Sequence, residues 1–332
     1  MREWLLTRTW TVLLTAVLVA SFVFNVARSD GYLSVNNLVN LFELSIEKII
    51  VVVVMTFVIV AGEIDLSVAS VMGFTACVVA GLHEREALPF ALILVLALLV
   101  AATVGLIHGL IVTRLGLPSL VVTLAGLIGW RGAARVLVED RSVGDFPGWF
   151  DALGQNDLIG PLPFSILLFL VLLAVGGVVL HRTDIGRYLM VIGDNAEVAR
   201  FSGVRVNRVR VLLFVASSTV AGLAGLLFAS RLGTARGDLA NGFELEIITV
   251  VLLGGVSIFG GSGRMSGVAL AILIFLNIRN GLGLAGIDGT TQTGVIGVIL
   301  ITSVIAQHAL DRLDLRRRPG SVAPVAPAGA EA

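Results

Sequence analysis

Charged side chains are scarce in this 332-residue chain, where Asp, Glu, Lys and Arg together make up 14% of the residues. Hydrophobic residues make up 57%, and the mean hydropathy is +0.99. Soluble domains carry about 25% charged residues, so this composition excludes them. Lysine occurs once, as Lys48, in the apolar context IEKII. A Walker A motif needs a lysine after a glycine-rich loop, so the chain cannot be a P-loop ATPase by itself.

Further classes are excluded by other absences. The single cysteine, Cys77, permits no disulfide within the chain. The formal net charge is zero, which gives no electrostatic footprint for nucleic acid. The sequence contains no HExxH motif, no GxSxG motif and no Cys/His metal spacing. We therefore expect no catalytic residues, no metal and no cofactor in this chain.

Long apolar runs predict the architecture. Each is about 17–25 residues long, which suffices to cross the hydrocarbon core of a bilayer. Runs such as 49–61 are continuous and do not alternate as the strands of a β-barrel would. The sequence predicts an all-α, polytopic membrane protein with one transmembrane domain over residues 1–309. The ten predicted spans cover residues 10–26, 45–61, 67–82, 88–112, 117–138, 163–180, 210–231, 244–259, 265–284 and 291–307.

The arginines predict the orientation of these spans. Six of them lie in the loop 181–210 and three more at 316–318. Because cytoplasmic segments are enriched in Lys and Arg, we expect both regions and both chain termini inside. The basic, Pro/Ala-rich tail 310–332 is predicted to be disordered. Spans two to five and seven to ten form similar groups of four, which suggests an inverted internal repeat.

The loop 181–210 is the largest predicted inner segment, and it contains its own folding signals. Asn195 is a residue type that caps helices, and Gly203 is one that ends them. We expect a short helix over about 195–202, with Val198 and Phe201 on an apolar face. An inner loop with an apolar face needs a partner to cover it, so we interpret it as a docking segment. The alternative is a solvated basic loop that serves only topology.

Polar residues inside or beside the spans have two interpretations each. In GEIDLS, Asp65 and Ser67 either cap the following helix or belong to a substrate path. His108 either forms a packing hydrogen bond or relays protons, but its own span offers no carboxylate partner. The predicted outer loop 139–162 is either a connection or a docking surface, with Trp149 and Phe150 expected to be exposed.

Four segments in a fixed order resemble one known family. The chain is similar to the membrane permeases of bacterial ABC sugar importers, in the ribose-type branch of the branched-chain/monosaccharide permeases. Glu63 departs from the family pattern, which more often has glycine there. The segments are GEIDLSVASVMGF, GLIHGLIVTRLGLPSLVVTLAGLIGWRG, TDIGRYLMVIGDNAEVARFSGVRVNRVR and FELEIITVVLLGGVSIFGGSGRMSG.

The resemblance implies a role for the loop 181–210 and a set of partners. In this family the matching segment is a cytoplasmic coupling helix that docks into an ATPase. The positions that this implies for ATPase coupling are Gly193, Asn195, Ala196, Glu197, Ala199, Arg200, Phe201 and Gly203. The implied partners are an ABC ATPase, which binds the ATP, a second permease copy or paralogue, and a periplasmic or lipid-anchored sugar-binding protein.

The resemblance also implies the cargo and the location. The cargo is a monosaccharide such as a pentose, a deoxyhexose or autoinducer-2, moved by alternating access across the bacterial inner membrane. Two rival classes remain. A secondary transporter of a small polar solute should have paired intramembrane ionisable groups or an ion site. A membrane-embedded enzyme should show a catalytic constellation.

Overall fold

The computed structural model describes residues 2–86 and 88–316 and is predominantly helical. The helices are α1 (Arg2–Arg28), α2 (Val35–Glu43), α3 (Ile46–Val60), α4 (Val68–Glu84), α5 (Phe90–Leu115), α6 (Ser119–Leu137), α7 (Gly148–Gln155), α8 (Phe164–Arg182), α9 (Asp184–Asp194), α10 (Ala196–Phe201), α11 (Val206–Leu232), α12 (Phe243–Leu253), α13 (Met265–Leu284) and α14 (Gly289–Arg316). Two short antiparallel pairs join β1 (Val143–Gly144) to β4 (Thr234–Ala235), and β2 (Asp157–Ile159) to β3 (Leu162–Pro163).

Within the described residues, six helices are long and apolar enough to cross a membrane: α1, α5, α6, α8, α11 and α13. The all-α, multi-pass membrane fold is therefore confirmed. The remaining predicted spans overlap α3, α4, α12 and α14, but α12 ends at Leu253, before the predicted end of its span at 259. The count of ten and the inverted repeat stay predictions.

Helix α11 is the central packing element. It lies against α3, α4 and α5, and more than half of its apolar stretch is buried. Small residues permit this close approach. In a membrane, helices associate through close packing and not through exclusion of water, so such residues are favoured at the contacts. A Cβ at Gly109 of α5 would lie 2.8 Å from Cα of Val211. The backbones of α5 and α11 are thus in direct contact.

Two non-helical breaks interrupt the bundle. The first break, residues 61–67, separates α3 from α4, and the second break, residues 254–264, separates α12 from α13. Backbone groups inside a membrane protein need partners, because hydrocarbon offers none. In the first break, the Ile64 N–H donates to Ser119 Oγ (3.2 Å) and the Leu66 N–H donates to Thr123 Oγ1 (3.1 Å). Side chains of α6 therefore accept from two backbone N–H groups of this break that have no helical partner.

The structure of the loop 139–162 contradicts one prediction, the exposure of Phe150. Trp149 is 51% exposed, as expected, but Phe150 is only 2% exposed. Phe150 fills an aromatic cluster with Phe90 and Phe146, at ring-centroid distances of 5.0 and 5.5 Å. The sequence prediction was wrong for Phe150 because α7 packs one of its faces against α8 and α11.

The C-terminal helix begins at a well-formed cap. Asp288 accepts hydrogen bonds from the N–H groups of Thr290 and Thr291, both at 3.0 Å. Helix α14 then runs to Arg316, beyond the predicted domain end at residue 309. The remainder of the predicted tail, 317–332, lies outside the described residues.

Candidate functional site

The segment predicted to couple to an ATPase, residues 181–210, is called the coupling segment below. It runs from the end of α8 to the start of α11 and contains α9 and α10 between them. Asn195 caps α10, because its Oδ1 accepts from the N–H groups of Glu197 (2.9 Å) and Val198 (3.1 Å). After Phe201 the chain turns at Gly203, whose φ of +84° suits glycine. The short helix predicted for about 195–202 is therefore present.

Helix α10 is anchored on one face and exposed on the other. Ala199 is buried against Ile192 and Val206 in a small core of its own. Phe201 is 92% exposed, more than any other large apolar side chain in the described residues. Of the other predicted coupling residues, Asn195, Glu197, Arg200 and Gly203 are exposed, whereas Ala196 is half-buried and Gly193 lies at the base of the segment.

Asp65 is fully buried in the first break and is held by three hydrogen bonds. Its Oδ1 accepts from the N–H of Ser67 (3.0 Å) and from Ser67 Oγ (2.5 Å). Its Oδ2 accepts from Ser217 Oγ of α11 (2.8 Å). Asp65 therefore supports the start of α4 and also joins the break to α11. Ser67 occupies the N-cap position but makes no side-chain cap bond.

His108 of α5 extends this network. Trp130 Nε1 donates to His108 Nε2 at 3.0 Å, and an indole N–H can only donate. Nε2 must therefore accept, which places the proton of the neutral ring on Nδ1. That N–H faces Ser67 Oγ at 3.3 Å. The result is a buried polar network that runs from Trp130 through His108 and Ser67 to Asp65. Its carboxylate comes from outside the span of His108, which the sequence could not indicate.

A cavity of about 520 Å³ opens beside the first break. Glu63 is almost fully buried at its wall, with Oε1 2.6 Å from Nε of Arg210. The Nε–H does not make a hydrogen bond there, so the contact is an ion pair. The negative charge of Glu63, which departs from the family pattern, is thus paired with an arginine of α11. Other polar residues that line the cavity are Thr113, Ser119, Arg200 and Asn207.

Sequence reasoning missed a second group of buried charges, at the opposite end of α3. Glu47 pairs with Arg231, whose Nε and Nη2 lie 2.7 and 3.1 Å from its two carboxylate oxygens. Lys48 pairs with Glu246, which also accepts from Arg279 at 2.7 Å. The partners are far apart in sequence, so only the strongly apolar context of Lys48 hinted at them.

These pairs bear on the rival class of secondary transporters. Paired intramembrane ionisable groups were expected of that class, and the chain contains ion pairs that are buried between its helices. The criterion therefore does not separate the two classes here. Among the described residues, no group of three or more His, Cys, Asp or Glu side chains could hold a metal ion.

Comparison with known proteins shows the family to which this chain belongs. A family model described as "Branched-chain amino acid transport system / permease component" matches residues 37–304. The ribose import permease protein of Haemophilus influenzae is 30% identical over 307 residues, which cover 91% of this chain and 93% of the relative. The autoinducer 2 import system permease protein of Escherichia coli is 34% identical over 306 residues, covering 90% and 92%. The corresponding protein of Photorhabdus luminescens is 33% identical over 264 residues, covering 78% and 79%.

No solved structure matches the chain. The family match extends over both breaks, the Asp65 network and the coupling segment. These comparisons confirm the family resemblance that the four ordered segments indicated. They show that the protein is a component of a transport system. The chain belongs to the family of transport-system permease components that includes the ribose and autoinducer 2 import permeases.

Proposed function

We propose that this chain is the pore-forming subunit of an ABC importer that carries a monosaccharide into the bacterial cell. The observation that carries the proposal is the coupling segment. It presents a short capped helix with one fully exposed phenylalanine, Phe201, on the basic end of an apolar bundle. Relatives named for ribose and autoinducer 2 import support a small polyhydroxylated cargo.

The partners follow from the absence of a phosphate-binding loop in the sequence and from the exposure of α10. A separate ABC ATPase binds ATP and receives α10, because the single lysine of this chain lies in no phosphate-binding loop. A second copy or a paralogue completes the pore, and a periplasmic or lipid-anchored binding protein delivers the sugar. Both chain termini and the coupling segment lie on the cytoplasmic side, as the arginine distribution favours.

The transport step is alternating access, driven by closure of the ATPase. Movement of α10 shifts the first break and opens or closes the cavity beside it. The cavity wall offers a carboxylate, guanidinium groups, an amide and hydroxyls, which together can bind sugar hydroxyl groups weakly. Weak binding suits a passage, because a sugar held tightly would not leave.

The decisive experiment is reconstitution of the permease in vesicles with the ATPase and the binding protein from neighbouring reading frames. We expect uptake of a monosaccharide that requires ATP and the binding protein, and that persists when ion gradients are collapsed. Uptake that needs a proton or sodium gradient and proceeds without the ATPase would assign the chain to the secondary transporters instead.

A further inference from the structure

Three glycines from distant parts of the chain meet at the base of the coupling segment. Gly193 lies near the end of α9, Gly62 in the first break and Gly260 in the second break. A Cβ at Gly260 would lie 2.7 Å from Cα of Gly62 and 2.9 Å from Cα of Gly193. A Cβ at Gly193 would overlap the carbonyl oxygen of Val60. Three backbones are therefore in direct contact, with no side chain between them.

A hydrogen bond fixes two of these backbones to one another. The N–H of Gly261, in the second break, donates to the carbonyl of Val60, at the end of α3, at 2.9 Å. On the other side of Gly261, a Cβ would lie 3.1 Å from Cα of Asp194. Asp194 directly precedes Asn195, the cap of α10. The coupling helix thus begins close to the point where both breaks converge.

Contacts of this kind transmit displacement well. A side chain at an interface can absorb a small shift by changing rotamer, but backbone atoms in van der Waals contact cannot, because close-packed interiors compress little. A shift of α9 and α10 must therefore move both breaks or separate them from the coupling segment. The first break contains Asp65, three residues after Gly62, and Asp65 is bonded to α11 through Ser217.

We propose that Gly62, Gly193 and Gly260 form a joint through which movement of the coupling segment reaches both breaks at once. These glycines are positioning residues, and their role rests on the proposed function of the chain as an importer subunit. The joint moves as a unit, so the breaks and the coupling segment stay in contact throughout the transport cycle. The Asp65 network and the cavity wall at Glu63 lie on the moving side of the joint.

The test measures how accessible the first break is to a soluble reagent. Ile64 is half-buried and lines the cavity, so an Ile64→Cys substitution in a Cys77→Ala background reports on access to the break. Labelling of the permease–ATPase complex with a soluble maleimide is compared without nucleotide and with ATP plus vanadate. We expect a nucleotide-dependent change in the labelling rate. With Gly193→Ala, we expect that change to be lost while the ATPase still co-purifies.

The matched control is Gly154→Ala. A Cβ at Gly154 also overlaps backbone, at Arg231, but this contact lies far from the joint. The control should lose stability and yet keep the nucleotide-dependent change. If the Gly193→Ala complex shows the same nucleotide-dependent change in labelling rate as its background, the proposed joint is wrong. A background complex that fails to bind the ATPase, or that binds it without any nucleotide response, overturns the proposed function instead.

A second variant covers the case in which Gly193→Ala does not fold. A Cβ at Gly261 would lie 3.1 Å from Cβ of Asp194, slightly closer than the roughly 3.5–4.5 Å that a disulfide spans, and a cysteine there would keep the strained φ of +76°. Asp194→Cys combined with Gly261→Cys, again with Cys77→Ala, can therefore be oxidised to a tether, and its reduced form is its own control. If the joint moves as a unit, oxidised and reduced forms transport sugar equally. Loss of uptake on oxidation alone means that the two segments separate during the cycle, which overturns the proposal.

Discussion

Ser217 Oγ donates a hydrogen bond to Asp65 Oδ2 at 2.8 Å, although the two residues lie 152 positions apart in sequence. Both side chains are fully buried. This bond connects the first break to α11, the helix in which the coupling segment ends. The break is therefore held from two sides, by the glycine joint and by α11.

Replacement of Asp65 should test this network. Asp65→Ala leaves the hydroxyls of Ser67 and Ser217 without their acceptor, and each unsatisfied buried group costs about 1–3 kcal/mol. Asp65→Asn retains one acceptor oxygen, so it should destabilise the protein less. Thermal unfolding of the detergent-purified protein measures the difference. Equal melting temperatures for the two variants would mean that these hydrogen bonds do not stabilise the break.

Loss of the exposed aromatic on α10 should uncouple the ATPase. An apolar anchor buried in a partner pocket contributes on the order of 2 kcal/mol or more, so Phe201→Ala should weaken co-purification of the ATPase and abolish uptake. Gly203→Pro should act similarly, because proline cannot adopt the φ of +84° found there. Val136, 78% exposed near the end of α6, provides the control Val136→Ala. Full ATPase binding and uptake in both test variants would remove the coupling role.

Two variants of the buried ion-pair group should differ in severity. Glu246→Ala leaves both Lys48 and Arg279 without their carboxylate, whereas Lys48→Ala leaves Glu246 still paired with Arg279. Breaking a buried pair costs about 3–5 kcal/mol when a charge remains unpaired. We expect Glu246→Ala to lower the thermal stability much more than Lys48→Ala does. The reverse order would show that Arg279 does not compensate Glu246.

The cap of α14 should respond to acid. Hydrogen bonds from Thr291 lower the pKa of Asp288 below its ordinary value. A lowered folded-state pKa means that the stabilisation is present above the unfolded pKa and is lost as the pH falls through the folded pKa. Amide exchange at Thr290 and Thr291 should therefore accelerate on acidification relative to Asp288→Asn at the same pH. The same ratio of exchange rates at every pH would contradict this assignment.

Adjacent aromatics in the loop 139–162 should have different functions. Trp149→Ala should reduce uptake with little effect on stability, because its side chain is half exposed and available to the binding protein. Phe150→Ala should destabilise the protein by about 3–5 kcal/mol, because its ring is buried among aromatics. Uptake measured at several binding-protein concentrations, beside thermal unfolding, separates the two effects. Unchanged uptake by the Trp149 variant would make the loop a simple connection.

The contrast between α10 and Asp65 shows what the sequence could and could not indicate. The start and end of α10 follow from Asn195 and Gly203, which act on neighbouring backbone groups and are visible in any local window. The α11 partners of Asp65 and Glu47 lie more than a hundred residues later, and they depend on how the helices pack. Phe150 was predicted wrongly for the same reason, since an aromatic residue in a loop becomes buried only through tertiary contacts.

The pairing of Lys48 with Glu246 has a consequence for biosynthesis. The two residues are separated by 198 positions, so α3 leaves the ribosome long before α12 is made. Until then Lys48 has no carboxylate from α12 to offset its charge, and a buried charge without its partner is costly. The surroundings of Lys48 therefore cannot reach their final, paired state during early insertion. Synthesis of α12 is what allows the start of α3 to finish folding.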